Sequence, residues 1–187
     1  MKKRLLVGMS GASGAPLTVE LLRQLRKNDT VESHLIMTRG AELTLRQETD
    51  ISLEQIRELA DVCYENENIG ARPASGSFEM EGMVIVPCSM KTVAGIVSGY
   101  SDNLLLRAAD VTLKENRRLV LVARESPLNT IHLRNMYELS RMGVVIMPPM
   151  LTYYHRPQSV EECTAHAVQR ILRQFGLNEE TYEWEGI

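Results

Sequence analysis

The stretch RLLVGMSGASGAP at residues 4–16 decides how the rest of the chain is read. The apolar run Leu5-Leu6-Val7 meets three glycines at three-residue spacing, Gly8, Gly11 and Gly14, interleaved with Ser10 and Ser13. A helical pattern follows at once, so the order is strand, tight turn, helix. Glycine lets a backbone approach a ligand closely and take positive φ, and a helix start presents unpaired N–H groups with partial positive charge. An anion belongs at such a turn. The spacing G-x-x-G-x-x-G matches neither the dinucleotide fingerprint G-x-G-x-x-G nor a P-loop, which ends in Gly-Lys-Ser/Thr. A glycine-rich βα turn that binds nothing shares the same pattern.

Around this turn lie 187 residues, enough for one domain (1–187) with a single buried core. Apolar residues make up 44% and charged residues 24%, which excludes a disordered or fibrous chain. A net charge of −3 with scattered Lys and Arg offers no basic field, so nucleic acid is not the expected partner. No apolar run reaches the roughly 18 residues of a membrane span, and Met1-Lys2-Lys3 leads straight into a strand without a signal-peptide core. The expected location is the cytoplasm. Cys63, Cys88 and Cys163 are odd in number and widely spaced, which fits free thiols and supports neither a disulfide frame nor a zinc site.

Outward from the turn, Ala15, Val19, Leu21, Leu22 and Leu25 give the apolar face of a first helix. Residues 32–37 (ESHLIM) read as a second buried strand, closed by Thr38-Arg39-Gly40 before a helix over 41–47. A nicotinamide-binding domain often ends this strand in Asp or Glu, and the hydroxyl of Thr38 suits a flavin or a phosphate better. Glu48 falls near an interhelical loop, where most glutamates are solvated. Ser52-x-x-Gln55 opens a further helix as a capping box. Residues 66–78, with Gly70, Pro73 and Gly76, read as a mobile loop on the sheet edge.

Residues 82–86 are the clearest central strand, and the following Pro87-Cys88-Ser89-Met90-Lys91-Thr92 again ends a strand in small hydroxyl residues at a helix start. Two such turns face each other across the crevice of a doubly wound parallel sheet where strand order reverses; simple N-capping by Ser89 and Thr92 is the other reading. Residues 103–115 are helical, with Arg107 and Lys114 at the polar edges, and 119–123 form a strand ending in Arg124-Glu125. A guanidinium at that strand end either points into the crevice to meet phosphate or pairs with Glu125 at the surface. After an amphipathic helix over 130–142 and a strand over 144–147, LTYYHRPQ (151–158) feeds a last helix capped by Ser159. Val160, Cys163, Ala167, Ile171 and Phe175 make its apolar stripe, and Arg170 borders it, to snorkel outward or to hold an anion. His155 reads as a structural hydrogen bonder. The acidic tail 179–187 carries the only tryptophan, Trp184, which needs apolar cover.

Five stretches in this order, MSGASGAP (9–16), ETD (48–50), PCSMKT (87–92), RAADVTLKE (107–115) with ARESP (123–127), and YHRPQS (154–159), resemble the UbiX-like flavin prenyltransferases, formerly called phenolic or hydroxybenzoate decarboxylases. The resemblance covers nearly the entire chain. It implies a flavodoxin-like or Rossmann-like fold that binds reduced FMN and transfers a dimethylallyl group from dimethylallyl phosphate to flavin N5 and then C6. The prenylated FMN serves a UbiD-like decarboxylase. By resemblance, Gly11, Ala12, Ser13, Thr38, Ser89, Met90, Lys91, Thr92 and Arg124 match FMN-binding positions. Tyr154 and Arg170 match those that hold the prenyl phosphate, with Lys114 and Arg107 nearby. Glu48, Ser13 and Glu125 match residues of the chemistry or its organisation, and Trp184 is placed as an aromatic reaching a neighbour's prenyl pocket in a large homo-oligomer, a dodecamer. Many relatives carry serine at the position of Thr38.

The chemistry suits these residue types. Phosphate departure needs developing charge neutralised, which arginine, lysine and a tyrosine hydroxyl supply, and the chain has no aspartate-rich repeat to hold magnesium. Two rivals stand beside the transferase: an FMN-dependent phenolic acid decarboxylase acting directly, and a non-catalytic FMN-binding subunit of a decarboxylase complex. The second would need the FMN turns without Tyr154 and Arg170.

Overall fold

Alternation along β1 (Lys3–Met9) sets the architecture seen in a computed structural model, which describes residues 2–177 and 186. Leu5, Val7 and Met9 join a core on one face of the sheet and Leu6 a separate core on the other, as a period of two requires. The central strands are therefore covered on both sides, the condition under which parallel sheets are stable. With β2 (Val31–Met37), β3 (Val62–Glu65), β4 (Gly82–Cys88), β5 (Arg118–Ala123) and β6 (Val145–Ile146), six parallel strands take the order β3-β2-β1-β4-β5-β6. This is the doubly wound, Rossmann-like arrangement expected above, with the chain reversing direction across the sheet between β1 and β4.

In sequence the elements are β1, α1 (Ala15–Arg26), β2 (Val31–Met37), α2 (Arg39–Glu48), α3 (Leu53–Leu59), β3 (Val62–Glu65), β4 (Gly82–Cys88), α4 (Met90–Val97), α5 (Leu104–Lys114), β5 (Arg118–Ala123), α6 (Thr130–Arg141), β6 (Val145–Ile146) and α7 (Val160–Arg173). Helices α1 and α7 pack together over one core, where Leu21, Leu22, Val168 and Ile171 are buried against Val84 and Val122. Helices α4, α5 and α6 cover the other, around Met83, Ile85, Leu105 and Leu121. No helix among the described residues is long and apolar enough to cross a membrane.

One strand goes unread in the sequence and two expectations need correction. The edge strand β3 has only four residues of alternating exposure, too short to stand out after the capped helix α3. Residues 66–78 are held in place: Arg117 donates to the carbonyls of Phe78 (2.8 Å) and Gly76 (2.7 Å), and Asn66 Oδ1 accepts Leu105 N at 3.1 Å to cap α5. Val160, placed in the buried stripe of the last helix, is 76% exposed; the burial of α7 falls on its later turns, where Val168 and Leu172 join the expected Ile171.

Candidate active site at the reversal of strand order

The turns after β1 and β4 lie side by side and are fastened by one buried hydroxyl. Ser10 Oγ donates to Pro87 O at 3.0 Å and accepts Ser89 N at 2.8 Å, while Ser10 N reaches the same carbonyl at 3.2 Å. Pro87 has no N–H for the sheet, and the register of β4 against β5 shifts there, which frees its carbonyl for this contact. Beside this junction a cleft of about 620 Å³ opens, lined among others by Gly11, Thr38, Arg39, Ser89, Lys91 and Thr92.

Two helices begin on that cleft. Thr38 caps α2 by accepting Ala41 N at 3.1 Å, and Ser89 caps α4 by accepting Thr92 N at 3.3 Å, so N-capping and a place at the cleft coexist in the same side chains. The first-turn N–H groups of Arg39, Gly40, Met90 and Lys91 have no acceptor among the described residues. Gly11 must be glycine: a Cβ there would stand 2.9 Å from the backbone of Gly40. The side chain of Met90 is buried in the core, leaving only its backbone to face a ligand. Open N–H donors, three hydroxyls and Lys91 form a set that suits the phosphate and polyol of a flavin mononucleotide.

The start of α1 differs, because its anion is the protein's own. Glu48, the last residue of α2, places Oε2 2.8 Å from Gly14 N and 2.9 Å from Ala15 N, and Ser13 hydrogen-bonds the same carboxylate. The anion expected at the glycine turn is therefore Glu48, and the open helix starts are those of α2 and α4. Burial pushes the Glu48 carboxyl up, but the bonds from Ser13, Gly14 and Ala15 with the nearby Arg124 charge outweigh it and hold it below the ordinary carboxylate value. The reading of Glu48 as a solvated loop residue is overturned: α2 carries it back onto the turn thirty-four positions earlier. Ser13 turns to Glu48, and Ala12 is buried beside it.

Arg124 is tied into the junction by its backbone, which donates to Cys88 O at 3.0 Å, while its side chain is exposed at the end of β5. Glu125 does not pair with it in the surface fashion considered above; its Oε1 accepts Ser126 N at 3.1 Å. A second cavity, about 230 Å³, lies between the ends of β5 and β6 and the helix α7, lined by Met147, Pro148, Met150, His166 and Arg170 among others. Tyr154 joins it through His166, whose Nε2 is 3.1 Å from the phenol oxygen. Sequence reasoning passed over His166. Its signal was the four-residue spacing to Arg170, which puts both on one face of α7.

Lys114 and Arg107 are not brought to Tyr154 and Arg170 within one chain. Helix α5 runs opposite to the strands and lies on the other face from α7, so Lys114 ends up near the start of β5, ion-paired with Glu115. Arg107 is held by Asp110 at 2.6 Å and by Ala74 O at 3.2 Å. Trp184 lies outside the described residues.

An open α/β sheet with an anion-ready cleft at its reversal point is a flavoprotein architecture, and residues 1–172 match the Flavoprotein family model. Flavin prenyltransferase UbiX of Escherichia coli (strain K12) is 50% identical over 187 residues, 98% of this chain and 99% of that one. The crystal structure of a dodecameric FMN-dependent UbiX-like decarboxylase from Escherichia coli O157:H7 superposes with a TM-score of 0.96 at 50% identity, covering 98% of this chain and 100% of that one. The structure of AnUbiX (PadA1) in complex with FMN and dimethylallyl pyrophosphate gives 0.93 at 46% identity, covering 99% and 100%. The chain belongs to the UbiX-like flavin prenyltransferase family.

Proposed function

We propose that this chain transfers a dimethylallyl group from dimethylallyl phosphate to reduced FMN, at N5 and then C6, and releases prenylated FMN to a UbiD-like decarboxylase. The observation that carries this reading is the presence of two separate anion-ready regions, the 620 Å³ cleft and the Arg170 cavity. A passive FMN carrier has use for the first alone. The relative solved with FMN and dimethylallyl pyrophosphate together supports the pairing.

When bound, reduced FMN supplies the nucleophilic ring atoms. Thr38, Ser89, Thr92 and the first turns of α2 and α4 hold its phosphate, and Gly11 lets the backbone lie against it. Arg124 closes the side toward β5. Arg170 and Tyr154 take the donor phosphate and neutralise charge as the C–O bond breaks, an effect that strengthens in a site shielded from water. Glu48, ionised and held through Oε2 by the N–H groups of Gly14 and Ala15, with Ser13 organises the glycine turn. Glu125, with one oxygen on Ser126 N, has the other to accept the proton that ring closure releases.

Assembly belongs to the same reading. Ile131, Leu133 and Tyr137 on α6, with Met150, Leu151 and Tyr153 on the following segment, are more than half exposed. Such a surface suits burial against further copies, in keeping with the dodecameric relative. Lys114 and Trp184 would then reach a donor site from a neighbouring copy.

Mass spectrometry of flavin extracted after anaerobic incubation with reduced FMN and dimethylallyl phosphate tests the reaction. A gain of one isoprene unit is expected. Flavin of unchanged mass would reject it.

A further inference from the structure

The histidine pair beside Arg170 has no part in the roles assigned above, and its hydrogen bonds form an ordered chain. His155 and His166 stack with ring centroids 4.3 Å apart and planes 15° apart. Thr152 Oγ1 stands between them, 3.2 Å from His155 Nδ1 and 3.0 Å from His166 Nδ1. On its far side, His166 Nε2 is 3.1 Å from Tyr154 Oη. One threonine hydroxyl has a single proton, so it can donate to only one of the two rings and must accept from the other.

Which way it points follows from His155 Nε2, which is buried and has no partner among the described residues. A proton there would be a buried donor with nothing to receive it, and an orphaned N–H is the less tolerated of the two states, a bare ring nitrogen in the same place being the lesser loss. With neutral rings the His155 proton therefore sits on Nδ1 and is donated to Thr152. The threonine proton goes to His166 Nδ1. That leaves the His166 proton on Nε2, donated to Tyr154 Oη, so the phenol oxygen accepts from His166 and its own proton is not spent on that ring. Burial, then the charges of His155, Arg170 and Arg173, lower the His166 pKa, which keeps the ring neutral and the chain intact at neutral pH.

We propose that His166 is a positioning residue: through Nε2 it sets the Tyr154 hydroxyl as a hydrogen-bond donor to the phosphate of the prenyl donor at the cavity lined by Arg170. Each bond in the chain polarises the next, so Tyr154 becomes a stronger donor than an isolated phenol. His166 and Arg170, one turn apart on α7, make the two halves of one phosphate seat, one acting through Tyr154 and the other directly. The inference rests on Tyr154 being a ligand of the donor.

The test measures anaerobic prenyl transfer against dimethylallyl phosphate concentration, with FMN affinity measured separately. His166→Phe keeps the stacked ring and removes both nitrogens; it is expected to raise the donor KM about tenfold, the loss of one hydrogen bond, with FMN affinity unchanged. His166→Gln, which keeps a polar atom near the Nε2 position, should recover most of that loss. His166→Asn, which keeps only the Nδ1 side, should not. Combined with Tyr154→Phe, His166→Phe should add nothing further. A raised donor KM in Tyr154→Phe with none in His166→Phe overturns the inference, as do equal losses in the Gln, Asn and Phe variants. An unchanged KM in Tyr154→Phe itself overturns the placement of Tyr154 on the donor, which is a different failure. If His166→Phe does not fold, the Gln and Asn variants decide by themselves.

Discussion

Glu48 Oε2 accepts the N–H of Gly14 at 2.8 Å, so the last residue of α2 seals the first turn of α1. The carboxyl pKa lies below the ordinary glutamate value of about 4.3, and its contribution to stability is present above that value and lost as pH falls through the folded one. Glu48→Gln keeps the shape and removes the charge. It should lower stability by about 1 kcal/mol at neutral pH, with the gap to the parent closing in acid. Urea melts at a series of pH values read this. A gap that stays constant with pH would mean that the ionised cap is not its source. FMN should remain bound while prenyl transfer slows.

Ser10 joins two turns that are far apart in sequence, and both of its hydroxyl bonds are buried. Ser10→Ala leaves Ser89 N and one direction of Pro87 O unsatisfied, which costs roughly 1–3 kcal/mol. FMN affinity should fall with stability, because the cleft is built on that junction. A variant that melts with the parent would show that the backbone bond from Ser10 N suffices.

FMN should bind far more tightly than riboflavin, since the open donors at the starts of α2 and α4 address a phosphate. Thr38→Val removes the α2 cap, costing about 1 kcal/mol of stability, and should weaken FMN while leaving riboflavin unaffected. Fluorescence titration with both flavins measures it. Equal affinity for the two would move the phosphate away from these helix starts.

Arg170→Ala should raise the requirement for dimethylallyl phosphate without displacing FMN. A charged hydrogen bond to phosphate is worth roughly 1.5–3 kcal/mol, a ten- to hundredfold change in donor KM. Steady-state kinetics with FMN held saturating separates this from a flavin effect. An unchanged donor dependence would place the donor elsewhere.

Tyr137 and Leu133 lie four residues apart on the outer face of α6, 59% and 53% exposed. Leu133→Glu with Tyr137→Glu should leave the fold intact and yield smaller particles in sedimentation, because charge enters an apolar contact between copies. Particles of parental size would free this face from the assembly.

Local signals in the sequence determined the strands with strong apolar runs, the helices with capping residues, and the two turns that meet at the reversal of strand order. Leu5 to Val7, the capping box at Ser52 and the hydroxyls of Thr38 and Ser89 act over a few residues, and such short-range preferences are written directly in the order of side chains. The four-residue strand β3 escaped because it lacks a run long enough to show a period. What only the tertiary structure decided is which polar group answers which. Glu48 belongs to Gly14 because α2 keeps both of its ends at the glycine turn, Gly40 against Gly11 at its start and Glu48 on Gly14 at its finish. His166 belongs to Tyr154 because α7 folds back over the segment that precedes it. Lys114 is turned from the site of its own chain for the same kind of reason, the direction of α5 relative to the sheet. Hydrogen bonds reach about 3 Å, and a partner dozens of residues away enters that range only when the packing of helices on the sheet has fixed both ends.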